Sequence, residues 1–526
     1  MRKKISRLAL LGLVFLLSGC GSADADVIGG ADTDTNMVVG DSNTTSTVEG
    51  STENAGGVTE VQLKTYSWDE AVIYEAEDGK LLGGTKVSDS GGVGYVEGFA
   101  KDEDGVEITI HIEETGFYDL SIYSKSDGNY KENYVLVDND SMGTVVTESK
   151  EYEDSILSRV YMEAGEHTVT IMKYWGWIQV DSVKVKPADE LDPTRFDIEP
   201  VLVNPNASEN AKRLMTYLCD IYGTDILSGQ NCDTGAYGLE NATIWKATGG
   251  KYPALLGLDM IEYSPSRVAH GSTSKAVDYA IEYWEKGGIV TFCWHWNAPT
   301  EYITGTWYSA FYKEHTNIDL AKIMNGQDQK GYDLLMADID AIAAQLQKLE
   351  DAGVPILWRP LHEASGGWFW WGNAGPEAYK ELYVLLYDRL TNEYGLDNLI
   401  WVWNGQDKDW YPGDEYVDII GEDIYPGEKV YTPQTAKYLE VLDYTDAKKM
   451  IILSENGCMF DPDLAIRDGA MWGSFCTWGG EFVTKGGAVY TFSEQYTEEH
   501  MLKKVYEHEH VITRDELPDI KNYPLR

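Results

Sequence analysis

The chain has 526 residues and a formal net charge of -45 at pH 7. That length predicts two folded domains with short extra segments. The acidity argues against nucleic acid and anionic membrane surfaces as partners and suits a neutral polymer or simple solubility, while 17 Trp and 35 Tyr suit stacking on carbohydrate as well as core packing.

The chain opens on a basic stretch, Met1-Arg2-Lys3-Lys4, followed by an apolar run from Leu8 to Leu17 and then Leu17-Ser18-Gly19-Cys20. The apolar run is too short for a stable membrane span. The pattern resembles a bacterial lipoprotein signal over residues 1–20. That resemblance implies cleavage before Cys20, lipidation of its thiol, and an extracellular protein that meets the cell membrane only through the anchor. An ordinary signal peptide with an incidental Cys20 is the alternative. Residues 21–67 are rich in Gly, Ser, Thr, Asn, Asp and Glu and read as a flexible tether.

Residues 68–187 alternate with a period of two. Strands are expected at Val106–Ile112, Tyr118–Tyr123, Tyr134–Val137, His167–Ile171 and Ile178–Val185, separated by turn residues. Many short strands with no helical period predict an all-β sandwich of jelly-roll type. Tyr74-Glu75-Ala76-Glu77, Gly94-Tyr95-Val96-Glu97-Gly98-Phe99 and Trp177-Ile178-Gln179-Val180-Asp181 resemble a family 35 carbohydrate-binding module, with family 6 as the related alternative. The resemblance implies a structural calcium held by Glu75, Glu77 and Asp181, where hard carboxylate oxygens from both ends of the module would clip it shut. It also implies a sugar site among loops at one end, for which Tyr130, Asn133, Trp175 and Trp177 are candidates. Residues 188–206, with Pro193 and Pro200, read as a linker that lies along the next domain.

From residue 207 to 526, apolar strand-like runs alternate with amphipathic helical ones. Eight strands are expected: Ile226–Gln230, Ala254–Asp259, Gly288–Trp296, Val354–His362, Asn398–Asn404, Val417–Tyr425, Lys449–Glu455 and Ala470–Trp478. Helices are expected at Ser274–Lys286, Tyr332–Asp351, Glu377–Tyr394 and Thr435–Thr445. Eight such units predict an α/β class (β/α)8 TIM barrel, whose active site sits at the C-terminal strand ends. Polar and aromatic residues gather there: Asp259, Trp294-His295-Trp296-Asn297, Arg359-Pro360-Leu361-His362-Glu363, Trp403-Asn404, Glu422-Asp423-Ile424-Tyr425, Ser454-Glu455-Asn456 and Trp478.

Glu363 ends the fourth strand and Glu455 the seventh. Two opposed carboxyls at a barrel mouth suit glycoside hydrolysis, one protonating the leaving oxygen and the other attacking the anomeric carbon. Arg359 and His362 stand ready to tune them, and Tyr425 to donate its phenol to Glu455. Behind Glu363 comes Trp368-Phe369-Trp370-Trp371-Gly372: Trp368 is expected to face a sugar, with the next three aromatics divided between loop packing and cleft.

These motifs, with His295-Trp296-Asn297, Tyr411-Pro412-Gly413-Asp414 and Leu453-Ser454-Glu455, resemble glycoside hydrolase family 26, a family dominated by endo-β-1,4-mannanases. The resemblance implies that Glu363 is the acid/base and Glu455 the nucleophile of a retaining mechanism. It implies substrate contacts at His295, Trp296, Arg359, His362, Trp368, Tyr425 and Trp478, and β-mannan, glucomannan or galactomannan as substrate. Ala364-Ser365 and Asn456 depart from the usual neighbours of the two carboxylates, which leaves a β-1,3-1,4-glucanase, a β-1,3-xylanase or a non-catalytic polysaccharide-binding lipoprotein as alternatives. No cofactor for catalysis is expected, since no Gly-rich phosphate loop follows a strand, and a monomer is expected. Besides Cys20 there are Cys219, Cys232, Cys293, Cys458 and Cys476, an odd number without metal-type spacing; Cys219 and Cys232 either pair or remain buried thiols.

Overall fold

A computed structural model describes residues 63–232, 238–486 and 490–526. The expected leader, Cys20 and the tether up to residue 62 lie outside them. Among the described residues no helix is long and apolar enough to cross a membrane.

The first part is an antiparallel sandwich of eleven strands: β1 Val72–Glu75, β2 Lys80–Leu82, β3 Lys86–Ser90, β4 Val93–Glu97, β5 Gly105–Ile112, β6 Gly116–Lys125, β7 Lys131–Val137, β8 Asp140–Thr147, β9 Glu153–Met162, β10 Gly165–Lys173 and β11 Gln179–Pro187. One sheet runs β3-β4-β11-β6-β9 with β1 also on β11, and the other runs β2-β5-β10-β7-β8. The period-two pattern buries Val106, Ile108, Ile110 and Ile112 of β5 against the facing sheet. Pairing of β1 with β11 sets Glu75 opposite Ser182 and so brings the first and last strands of the module together.

Strands β8 and β9 were not among the expected ones. Between β7 and β8, Asp138 and Asn139 both take positive φ, 52° and 74°. That is the two-residue turn Asp and Asn favour, because their short polar side chains tolerate the left-handed region.

The second part is a closed barrel of eight parallel strands in sequential order: β13 Gly229–Asn231, β14 Leu255–Asp259, β15 Ile289–Trp294, β16 Ile356–Pro360, β17 Leu399–Trp403, β18 Ile419–Ile424, β19 Met450–Asn456 and β20 Phe475–Thr477. The expected first strand, Ile226–Gln230, is two pieces. Ile226–Leu227 forms β12, which pairs with β21 Val511–Ile512 outside the barrel. The break falls at Ser228, whose hydroxyl donates to the Ile512 carbonyl at 2.8 Å. Helices Ala276–Glu285, Gln329–Asp351, Pro376–Tyr387 and Thr435–Leu442 stand where helical periodicity is read from the sequence.

Residues 188–206 lie along the barrel. The Val203 N–H donates to Asp418 at 2.7 Å, the Asn204 amide to Asp397 at 2.9 Å, and Arg195 to the Gly469 carbonyl at 3.2 Å. Sandwich and barrel also touch directly. The Thr432 hydroxyl donates to the Ser141 carbonyl at 2.8 Å, Ala436 packs on the sandwich core, and Arg159 donates to the Asp468 carbonyl at 3.0 Å. Among the described residues no disulfide forms: Cys219 and Cys232 are not bridged, and all five described cysteines are buried.

Candidate active site

The site is built from the end of β16. Ile356 to Trp358 are apolar and buried, Arg359 follows, and Pro360 has no N–H with which to continue the ladder. The chain then turns through two residues with positive φ, Leu361 at 53° and Glu363 at 51°. Such conformations cost a branched or bulky residue about 1–3 kcal/mol each and persist only where neighbours over-determine them. Here they do. The Tyr379 hydroxyl donates to the Leu361 carbonyl at 3.1 Å, the Trp371 indole N–H to the His362 carbonyl at 2.9 Å, and the Glu363 N–H to the Asn404 side chain at 3.0 Å and its carbonyl at 2.7 Å. The turn swings the Glu363 side chain into the barrel mouth, where one oxygen each of Glu363, Asp423 and Glu455 lie within 4.8 Å of one another.

Arg359 lies between two of these acids. Its guanidinium donates to Asp423 at 2.8 Å and to Glu455, all three buried. The Tyr425 hydroxyl donates to the other Glu455 oxygen at 2.6 Å. Glu455 is therefore served at both oxygens by donors that favour its anion. Glu363 has one donor, the Trp368 indole at 2.9 Å. Burial first, then Glu455 and Asp423, push its carboxyl well above the usual carboxylate range, and Trp368 and Arg359 only partly oppose them. Glu363 is thus the carboxyl set to hold a proton, while Glu455 has a donor at each oxygen. Ser454 completes the frame, donating to Asp423 at 2.7 Å and accepting from Asn404 at 3.0 Å.

Two histidines line the other side. His295 Nδ1 meets Asp259 at 2.6 Å, and its Nε2 meets His362 Nε2 at 3.2 Å. With Asp259 taking the Nδ1 hydrogen of His295, the His362 Nε2–H is the donor between the rings. Burial, then His295 and Arg359, hold His362 well below the usual imidazole range, so it is neutral. Its Nδ1 has no partner and is left as a bare acceptor.

The aromatic run divides sharply. Trp368 is 40% exposed, while Phe369, Trp370 and Trp371 are buried. Trp370 and Trp371 brace the loop, the first donating to the Trp296 carbonyl at 2.7 Å and the second to His362. A Cβ at Gly366 would collide with the Trp368 ring, so glycine is what lets that indole fold back over Glu363. Trp296 departs from the expected contact residues: its ring stacks on Trp294 at 4.2 Å and its N–H donates to Asp338 at 2.8 Å, away from the mouth. His295, Arg359, His362, Trp368 and Tyr425 converge on the mouth, and Trp478, partly exposed, stands edge-on to His295 at 6.1 Å. Asp423, Asp259, Asn404 and Ser454, which the sequence places at barrel strand ends without a role, belong to the site by their bonds to Arg359, His295, Glu363 and Asp423.

The cluster of Glu363, Asp423 and Glu455, and that of Asp259, Cys293 and His295, are compact enough to hold a cation. In the first, Arg359 already supplies the positive charge; in the second, Asp259 is engaged by His295.

In the sandwich, Trp175 and Trp177 are exposed on the loop between β10 and β11, at 53% and 66%, and Tyr130 is exposed and donates to Glu132 at 3.0 Å. Asn133 departs from the expected ligand set: it is buried, and its side-chain oxygen accepts the Tyr174 N–H at 3.1 Å. It points inward because β7 alternates and its neighbours Glu132 and Tyr134 take the outer face. Of the acids, Glu75 is pushed above its ordinary range by partial burial, then by Asp181 and Glu77. One Glu77 oxygen is buried without a partner.

The glycosyl hydrolase family 26 profile matches residues 203–516, and that of the carbohydrate binding module (family 35) matches residues 72–188. A mannan endo-1,4-beta-mannosidase of Thermothelomyces thermophilus is 40% identical over 455 residues, 85% of this chain and 90% of that protein. Mannan endo-1,4-beta-mannosidase B of Piromyces sp. is 36% identical over 462 residues, 85% of this chain and 77% of that one. The crystal structure of a Podospora anserina GH26-CBM35 beta-(1,4)-mannanase superposes with a TM-score of 0.60 at 40% identity, covering 86% of this chain and all of that one.

The Trp368 bond yields a direct test. Replacing Trp368 by Phe removes a donor that favours the Glu363 anion, so the Glu363 carboxyl should titrate at still higher pH than in the parent. Carbon-13 titration of labelled glutamate reads this, and a shift to lower pH would overturn the assignment.

Proposed function

The chain belongs to glycosyl hydrolase family 26 and carries a family 35 carbohydrate-binding module ahead of its catalytic domain, and from that premise we propose that it is a mannan endo-1,4-β-mannosidase acting with retention of configuration. The observation that carries this reading is the close pair of Glu363, pushed toward its protonated form, and Glu455, served by a donor at each oxygen. Retaining glycosidases hold their carboxyl groups about 5–5.5 Å apart, whereas inverting ones leave about 6.5–9.5 Å for a water. One oxygen of Glu363 lies within 4.8 Å of one of Glu455, a proximity that supports the retaining reading.

In the proposed reaction, the protonated Glu363 gives its hydrogen to the glycosidic oxygen. Glu455, held by Arg359 and Tyr425, attacks the anomeric carbon as that bond breaks, forming a covalent glycosyl-enzyme. Glu363, now an anion, takes a proton from water, whose oxygen displaces Glu455. The Trp368 indole, next to the acid and partly exposed, offers a face on which a pyranose ring stacks. Mannan, glucomannan or galactomannan is the proposed substrate; the names of the relatives support it. The monomer is the proposed active form.

For the module, exposed Trp175, Trp177 and Tyr130 are proposed to contact polysaccharide. Calcium is proposed at Glu75, Glu77 and Asp181, where one Glu77 oxygen is buried with no partner among the described residues, since that ion favours several carboxylate oxygens. It would tie the first strand of the module to the last. Residues 1–20 support lipid anchoring at Cys20 and an extracellular location.

Four outcomes are expected. On mannan, Glu363→Gln should lower kcat by roughly 10²- to 10⁴-fold and Glu455→Ala should abolish turnover nearly completely. Proton NMR of the first-formed product should show the β-anomer; an α-anomer would overturn retention, and faster release of reducing ends from mixed-linkage glucan or β-1,3-xylan than from mannan would overturn the substrate. Calcium should raise the thermal midpoint of the chelator-treated full chain, with Asp181→Asn blunting the response; an identical response in that variant would place the ion elsewhere. Expressed in a bacterium, the wild-type protein should partition with membranes and Cys20→Ala into the soluble fraction, and membrane retention of the variant would refute lipidation there.

A further inference from the structure

A cleft of ≈ 510 Å³ lies between the sandwich and the barrel, within the range of sites that hold a small-molecule ligand. Its sandwich wall is aromatic: Tyr130 before β7, Tyr134 on β7 and Tyr174 after β10, the last two with ring centroids 4.4 Å apart. Its barrel wall is polar. Lys437 stands 2.9 Å from Glu440 and 4.0 Å from Glu422, both of which line the cleft. Glu422 is buried and one of its carboxyl oxygens has no hydrogen-bond partner. The two walls are held in register by direct contacts, the Thr432 hydroxyl on the Ser141 carbonyl and Ala436 on the sandwich core. Tyr425 belongs to both sites: its ring lines the cleft, and its hydroxyl donates to Glu455.

Tyrosine faces opposite hydroxyl-binding carboxyls match a sugar chain, whose C–H faces stack on rings and whose hydroxyls donate to carboxylates. Glu132, Glu422, Glu440 and Asp443 against the single Lys437 disfavour a uronic acid polymer by like-charge repulsion. Trp175 and Trp177, on the loop that also carries Tyr174, do not line the cleft. We propose that it is a saccharide subsite shared by module and barrel, taking the stretch of a neutral β-linked hexose chain that continues beyond the bond held between Glu363 and Glu455. The inference rests on the glycosidase reading and deepens it: the module would act as part of the substrate cleft as well as a separate anchor.

The test uses the full chain on a Glu455→Ala background, with mannohexaose and mannobiose as calorimetric probes. Two further variants address the cleft: Tyr130→Ala removes an exposed stacking face, and Ser158→Trp fills the space without deleting a contact. Each should weaken mannohexaose binding by about 3- to 10-fold, the scale of one aromatic contact, with the thermal midpoint retained and mannobiose affinity unmoved. Unchanged mannohexaose affinity in both variants, or an equal loss for mannobiose, would overturn the shared subsite. If the wild-type chain releases no reducing ends from mannan, the glycosidase reading falls and this inference with it. If it does, and the variants bind mannohexaose as the parent does, the subsite alone falls.

Discussion

The arrangement depends on one buried cation. Arg359 leaves the end of a hydrophobic strand and places its guanidinium between Asp423 and Glu455. Three acids within 4.8 Å in a site of low polarity cannot all be charged at ordinary cost. A single guanidinium, always protonated and able to serve two carboxylates at once, decides where the negative charge rests. It stabilises the pair it touches and leaves Glu363, with only the Trp368 indole as donor, as the group that keeps its proton. The different standing of Glu363 and Glu455 is therefore a consequence of which acids Arg359 reaches.

That division requires Glu363 to be near the others but beyond the grip of Arg359, and the backbone supplies this. Two left-handed residues in three positions turn the chain sharply after Pro360. The strain is absorbed by buried donors, Trp371 and Tyr379, which bind the carbonyls the turn exposes. The dense tryptophan run is thus mainly scaffolding. A buried indole adds a large apolar surface and one N–H donor, which suits a loop that must be both packed and hydrogen-bonded.

This explains what was legible in the sequence and what was not. The eight barrel strands and the residues at their ends could be read because burial imposes apolar runs and the mouth collects polar side chains. Glu363 and Glu455 fall out of that pattern by position. The direction of each aromatic could not be read: Trp296 and Trp368 both lie just beyond a barrel strand, yet one turns into the helix layer toward Asp338 and the other over Glu363. Tertiary partners decide that, and Asp338 lies 42 residues from Trp296. Asn133 looked like a sugar-binding amide because its type suits one, but the pleat of β7 turns it inward. The split of the first barrel strand depends on pairing with Val511–Ile512, near the end of the chain, which no local pattern announces.

A neutral polymer brings no charge to the site, so on the proposed reaction every electrostatic asymmetry must come from the protein. The chain carries a large excess of acids, and a mouth built from unpaired carboxylates would repel its own groups and raise all their pKa values together. The structure avoids this by giving each acid at the mouth a different answer: Asp259 is engaged by His295, Asp423 by Arg359 and Ser454, Glu455 by Arg359 and Tyr425. Burial still pushes Asp423 up to about 7 against the pull of Arg359 and Ser454, whereas Glu363, with only the Trp368 indole as donor, is pushed well above the usual carboxylate range. General acid character here is the residue of a charge-pairing scheme that runs out of donors at one carboxyl, and that carboxyl sits beside the exposed indole of Trp368.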